Sequence, residues 1–226
     1  TNKAGANLPL TVFADPFNTF AEVSEENNKA VTHLTVTAST DPNLTVSYED
    51  IGITPSPANE KGNATISVFV KNEGFSTASN IQVDFYKGDP GVDGILLGTQ
   101  GIPSINEGES VKASFDWLNI ADAGEKVIYI QVDPLNQIEE LAEDDNDAFV
   151  VLDVLSLPEL TISANSIAFN PSAPKDGDTV SINVTVKNLG QQNASDVSVK
   201  AYEGSTVIGS QDIPLIEGNS QADTAF

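Results

Sequence analysis

Val68-Phe69-Val70-Lys71-Asn72-Glu73-Gly74 reads as a β-strand running into a turn. Val68 and Val70 continue an inward apolar stripe from Ile66, Lys71 lies on the opposite face with Thr65 and Ser67, and Asn72-Glu73-Gly74 is turn chemistry. The stretch returns 116 residues later as Val184-Thr185-Val186-Lys187-Asn188-Leu189-Gly190. At the same spacing, Leu44-Thr45-Val46 returns as Leu160-Thr161-Ile162. A third echo, Asp15-Pro16-Phe17-Asn18, returns 118 residues later as Asp133-Pro134-Leu135-Asn136. A 226-residue chain thus holds two domain-equivalents in three pieces. Residues 42–155 are a whole repeat, residues 1–39 carry the last two strands of another, and residues 158–226 carry the first five strands of a third. Repetition at a domain-sized period marks an array of like units.

Period-two alternation predicts seven strands in the whole repeat, near 44–48, 64–72, 81–87, 95–102, 110–118, 126–132 and 149–154. Ile81, Val83 and Phe85 form a second inward stripe, and Val111, Ala113, Phe115 and Trp117 a third. Ile138 and Leu141 fall at helical spacing, so residues 136–147 could form a short helical turn. Seven short strands and no long helix predict an all-β fold of tandem antiparallel sandwiches of immunoglobulin type, cut out of phase with the repeat. Short proline-bearing links at Ser39–Asn43 and Leu155–Glu159 predict semi-rigid joints.

Composition narrows the function classes. Lys+Arg is 10 against 33 Asp+Glu, a formal charge of −23, and every basic residue is lysine. A phosphate backbone or an anionic membrane surface needs a basic footprint, so nucleic acid and anionic membranes are poor partners. There is no cysteine, and no apolar run approaches the length that would insert into a membrane. With no methionine anywhere, Thr1 is read as an internal residue of something longer.

The three repeated stretches, in this order, resemble the CARDB family, a cell-adhesion-related domain of bacteria that also occurs in archaeal surface proteins. The residues that carry the resemblance are Pro42-Asn43-Leu44-Thr45-Val46 and Pro158-Glu159-Leu160-Thr161-Ile162, the Val68–Gly74 and Val184–Gly190 strand ends, and an acidic run. The run reads Asp15, Pro16, Asn18, Phe20, Glu22, Glu25, Asn28 in one copy and Asp133, Pro134, Asn136, Ile138, Glu140, Glu143, Asn146 in the other. The resemblance implies an immunoglobulin-like sandwich, placement on a bacterial or archaeal cell surface, and repeat architecture. It does not imply one activity.

The residues themselves offer no catalytic constellation. His33 is the only histidine, no cysteine is present, and no phosphate-binding glycine pattern occurs. The chain is therefore read as non-enzymatic. The acidic runs are the candidate site. Asp15, Asn18, Glu22 and Glu25, and their counterparts Asp133, Asn136, Glu140 and Glu143, could supply oxygen ligands to Ca²⁺, the one cofactor considered. Alternatively, the Asp and Asn side chains cap their own turn. The Asp89–Asp93 loop is a lesser cation candidate. Sequons at Asn43, Asn63, Asn183 and Asn193 would matter only in an organism that glycosylates its exported proteins.

These readings converge on an extracellular structural or adhesive protein, part of a stalk, filament or fibre. The alternative is a carbohydrate-binding accessory module of a secreted or surface enzyme, which would need a row of outward aromatics. Separated halves of a sandwich would expose Leu10, Val12, Leu34 and Val36 on one piece and Ile182, Val184 and Val186 on the other. The expected partners are copies of the chain joined head to tail, or neighbouring repeats of a longer chain.

Overall fold

A computed structural model describes residues 7–226; residues 1–6 of the expected 1–39 piece lie outside the described residues. Among those described, no helix is long and apolar enough to cross a membrane. The chain begins with a two-stranded antiparallel hairpin, β1 (Asn7–Phe13) and β2 (Lys29–Thr35), joined by the first acidic run.

The central sandwich follows. Its first sheet is built on β6 (Ala64–Asn72), with β3 (Leu44–Thr45), β4 (Ile51–Thr54) and β9 (Ser110–Trp117) all antiparallel to it. The second sheet contains β5 (Ala58–Asn59), β7 (Ala78–Lys87), β8 (Ile95–Ile105), β10 (Gly124–Val132) and β11 (Asp147–Leu155), in the order β5-β11-β10-β7-β8. Alternation places the apolar set between the sheets, as a half-buried strand requires. Ile66, Val68, Val70, Phe85, Ile128, Ile130 and Leu152 have no solvent exposure. Phe115 stacks on Phe85 with ring centroids 5.8 Å apart, and Trp117 packs against the edge of this core. Phe115 lies flat on Gly98: a Cβ there would sit 2.2 Å from the ring.

The C-terminal sandwich repeats this plan but is narrower. β12 (Leu160–Thr161), β13 (Ile167–Asn170), β14 (Ser181–Asn188) and β17 (Ser220–Ala225) form its first sheet, and β15 (Ala194–Glu203) pairs only with β16 (Thr206–Ile216) in the second. Phe226 lies on Gly209 as Phe115 lies on Gly98. Among the described residues, no strand matching β5, β10 or β11 joins its second sheet.

Each of the seven expected strands of the central repeat has a counterpart, so the all-β sandwich class holds, but the first is cut to Leu44–Thr45 and a 3-10 turn follows at Tyr48–Asp50. Two expectations need correction. Residues 136–147 contain no helical turn, because Asp133 and Glu143 capture the backbone N–H groups of Ile138 and Glu140 instead. Val184 and Val186 are not exposed: they are buried in a small core of their own with Ala194, Val199, Ile213 and Ile216. Two sheets are enough to cover the middle of β14. Its end at Ile182 stays half-buried, and the apolar residues left exposed around it are Leu160, Ile162, Ile167, Phe169 and Ile208.

Candidate functional site

The repeated sequence stretches meet in space. Asn72, at the end of β6, is fully buried and uses both ends of its amide. Its Oδ1 accepts from the N–H of Asn43 (3.2 Å) and of Gly74 (3.1 Å), and its Nδ2 donates to the carbonyls of Ser76 (2.7 Å) and Ile105 (2.9 Å). Asn188 repeats the arrangement with Glu159, Gly190, Gln192, Ile216 and Glu217. The entry segment passes so close that Gly74 and Gly190 admit no side chain. A Cβ on Gly74 would lie 2.3 Å from the Asn43 nitrogen, and one on Gly190 would lie 2.0 Å from the Leu157 carbonyl oxygen. The Lys-Asn-x-Gly stretch is therefore a corner that pins the incoming chain.

The acidic run of the central repeat closes over the same entry segment from the other side. Asp133 and Asn136 adopt left-handed backbone (φ 45° and 47°), a conformation that Asp and Asn tolerate better than most residues. Asp133 Oδ2 accepts from the Ile138 N–H at 2.7 Å, and Glu143 accepts from the Glu140 N–H at 3.1 Å. With the loop shaped this way, Glu140 turns inward, where its carboxylate accepts from the Leu44 N–H and from Asn146 Nδ2. Backbone bonds complete the closure: Val46 N–H to the Asp145 carbonyl (3.1 Å), Leu141 N–H to the Pro42 carbonyl (3.0 Å), and Asp133 N–H to the Gln82 carbonyl (2.8 Å).

Burial pushes the Glu140 carboxyl up to about 7, reinforced by Glu143 and Asp133 and opposed by the hydrogen bonds from Leu44 and Asn146. The folded-state value lies above the ordinary 4.5, so the folded form binds a proton that the unfolded form does not. The stabilisation from this group is fully present below the ordinary value and is lost as pH rises through the folded one. The melting temperature should therefore fall between about pH 5 and about pH 8 by more in the natural chain than in Glu140→Gln. Subtracting the two pH profiles removes the effect of overall charge, and parallel profiles would refute the assignment.

The first acidic run has the same internal geometry, and among the described residues no entry segment is hydrogen-bonded to it. Asp15 and Asn18 are again left-handed (φ 38° and 55°). Asp15 accepts from the N–H groups of Phe20 and Thr19, which hold its carboxyl below the usual range, and Glu25 accepts from the Glu22 N–H. Glu22 is exposed, whereas its counterpart Glu140 is 9% exposed. The hairpin shows the same contrast. Leu10, Val12 and Leu34 are 54%, 59% and 57% exposed, while the matching Ile128, Ile130 and Leu152 are at 0%. Val36 is half-buried.

In both runs, then, the candidate carboxylates other than Glu22 accept from backbone N–H groups. Among the described residues, no group of three or more His, Asp or Glu side chains is placed to hold a metal ion. One buried carboxylate oxygen, Asp145 Oδ1, has no hydrogen-bond partner. The Asp89–Asp93 loop is a tight turn in which the Asp89 carbonyl accepts from Val92, Asp93 and Gly94. Asn43 is buried, with its amide bonded to Asp145 and to the Ala142 N–H, so a glycan there is incompatible with this closure. Asn63, Asn183 and Asn193 are exposed. Tyr48, Tyr129 and Phe149, from separate elements, line one shallow groove, with the Tyr129 and Phe149 ring centroids 6.1 Å apart and the rings 11° from parallel.

The family model for CARDB matches residues 41–149 and 157–226. The CARDB domain of a Pyrococcus furiosus protein, solved in complex with di-metal ions, is 27% identical over 50% of this chain and 89% of its own, with a TM-score of 0.43. A domain of a candidate cell surface protein from Methanosarcina acetivorans is 23% identical over 51% and 93%, with a TM-score of 0.42. A Geobacter metallireducens domain is 28% identical over 47% and 92%, with a TM-score of 0.40. No curated protein matches the chain.

Proposed function

The chain belongs to the CARDB family, and from that premise we propose that it is a non-enzymatic structural module of the cell exterior, strung head to tail into a stalk or fibre. One observation carries this reading. The joint between the two sandwiches is pinned from both sides: Gln192 Nε2 donates to the carbonyls of Leu155 and Glu60, and the Leu157 N–H donates to Glu60 Oε2. Such a contact joins two different surfaces, so it propagates into a line rather than closing as a two-fold dimer. A −23 charge keeps the lateral faces of such lines apart.

Small-angle X-ray scattering tests this. The two sandwiches should scatter as one semi-rigid rod, and Gln192→Ala should broaden the distribution of end-to-end distances; a natural chain that already scatters as two freely jointed beads would refute the reading. Calcium binding at the acidic runs is a further proposal, favoured by the unpartnered Asp145 oxygen. Thermal melting in millimolar Ca²⁺ and in chelator tests it, since a ligand of the folded form must raise the melting temperature, and equal melting in both would refute it.

Carbohydrate binding is the second reading, favoured by the Tyr48–Tyr129–Phe149 groove. Glycan binding that disappears in Phe149→Ala would support it.

A further inference from the structure

Strand pairing in the central sandwich lines up side chains that lie far apart in the sequence. In the five-stranded sheet, Tyr129 of β10 faces Phe149 of β11 on one side and Tyr86 of β7 on the other. A bulge at Leu97 then sets Leu96 of β8 opposite Tyr86. Successive residues of a strand point to opposite faces, and the neighbours Phe85, Ile128, Ile130 and Ala148 point into the core. Phe149, Tyr129, Tyr86 and Leu96 therefore form one row across the outer face of four adjacent strands. The next row on that face is polar: Gln131 faces Asp147 on one side and Asp84 on the other, and Asp84 faces Thr99.

The two rows are tied together. The Tyr129 hydroxyl donates to Asp147, and the Tyr86 hydroxyl donates to Asp84 at 3.2 Å. Thr99 and Gln82 also donate to Asp84, which is buried beneath them. Burial and Asp147 push the Tyr129 hydroxyl up to about 12, so it keeps its proton in this bond. Rings fixed at their tips are already ordered before a ligand arrives. Beyond Phe149 the edge of β11 is open, because β5 covers it only at Val154 and Leu155. There a groove of about 590 Å³ runs between Asp147–Val151 and Val46–Tyr48, and the Tyr48 hydroxyl is held by Glu49 at 3.0 Å.

We infer that this face is a carbohydrate platform for an uncharged, equatorially linked hexose chain that lies across the strands, from the Tyr48–Phe149 groove over Tyr129 to Tyr86. This rests on the carbohydrate reading above and extends it from a groove to a row with a stated ligand class. A hexose ring has an apolar C–H face and a rim of hydroxyls. The aromatic row meets the faces, and the polar row beside it meets the hydroxyls. Among the described residues, Asp147 Oδ1 and the Gln131 amide make no hydrogen bond within the chain, so both are free to do so. Neighbouring strands lie about 4.8 Å apart, and an equatorially linked hexose chain advances by nearly that step per sugar. The charge selects the class. A carboxylate stands beside each of the three tyrosines and no lysine stands in either row or lines the groove, so uronate, sulfate and sialate groups are repelled.

Calorimetric titration of the natural chain with β-1,4-linked glucose oligomers and β-1,4-linked N-acetylglucosamine oligomers of one to five units tests this. For at least one series, affinity should rise with length and level off at about four units, the span of three strands and the groove. Phe149→Ala and Tyr86→Ala should each weaken binding by about tenfold. Nuclear magnetic resonance on the natural chain needs no variant: the amide signals of Phe149, Tyr129 and Tyr86 should move together. Binding that needs Phe149, ignores Tyr86 and gains nothing beyond two units would confine the sugar to the groove, overturning the row while leaving the carbohydrate reading standing. Tighter binding of a uronate oligomer than of either neutral series would overturn the ligand class. No binding of either neutral series at millimolar concentration would overturn the platform, and the carbohydrate reading would then stand only if another glycan bound in a Phe149-dependent way.

Discussion

Replacing Asn72 with alanine should lower the stability of the central sandwich by roughly 3–5 kcal/mol, the largest loss expected at any polar position in this chain. The side chain is fully buried and makes four hydrogen bonds. Truncation leaves the N–H groups of Asn43 and Gly74 and the carbonyls of Ser76 and Ile105 in a space too tight to hydrate, and each orphan costs about 1–3 kcal/mol before relaxation. Asn72→Asp is the instructive companion. It keeps the acceptor but sets a fully buried carboxylate against the carbonyls of Ser76 and Ile105, so at neutral pH it should cost at least as much as alanine. Urea denaturation of the two variants measures this, and a loss under about 1 kcal/mol for the alanine variant would show that the corner rearranges.

Gly190→Ala should uncouple the two sandwiches. The added Cβ meets backbone on every side: the Leu157 carbonyl oxygen at 2.0 Å, the Glu159 nitrogen at 2.8 Å and Pro158 Cα at 2.8 Å. A flexible side chain could swing aside, but a backbone segment must be displaced, typically at about 1–3 kcal/mol and more where nothing can give. The displaced segment is the link itself. Gln192 Nε2 donates across it to the carbonyls of Leu155 (2.8 Å) and Glu60 (3.3 Å), and the Leu157 N–H donates to Glu60 Oε2 (3.1 Å). Hydrogen exchange should quicken at Leu157 and Gln192 while β6 and β10 of the central sandwich stay protected. Unchanged exchange at the link would refute the coupling.

The sheets were legible in the sequence because their information is local. Thr65-Ile66-Ser67-Val68 alternation needs no knowledge of the rest of the chain, and β6 spans the expected 64–72. β4 and β5 escaped notice for an equally local reason: residues 51–59 are short apolar pieces broken by Pro55 and Pro57, and their pairing partners lie on β6 and β11. The helical spacing of Ile138 and Leu141 misled because the loop's hydrogen bonds run to side chains, a competition that hydrophobic period does not register. The meeting of the three repeated stretches was out of reach, since Glu140 finds Leu44 across 96 residues and Asn43 finds Asp145 across 102. Position in the sequence does show that both acidic runs are built alike. Only the fold shows that one is engaged and the other is not. The burial of Val184 and Val186 was misjudged because a strand's exposure depends on how many neighbours its sheet retains.

The closure of the acidic loop over Leu44–Val46 ties the place where the chain enters the central sandwich to the loop just ahead of the strand by which it leaves. A pull on the two ends of the repeat therefore reaches β3 and β11 together, and the bonds at Leu44, Val46 and Leu141 have to break at nearly the same moment. Bonds loaded in parallel share the load, whereas bonds loaded one after another fail like a zip. Forced extension is governed by the height of the unfolding barrier rather than by equilibrium stability. A stalk of such units would resist sudden stretching through its entry clamp, and the clamp would loosen first at alkaline pH, where Glu140 carries its full charge.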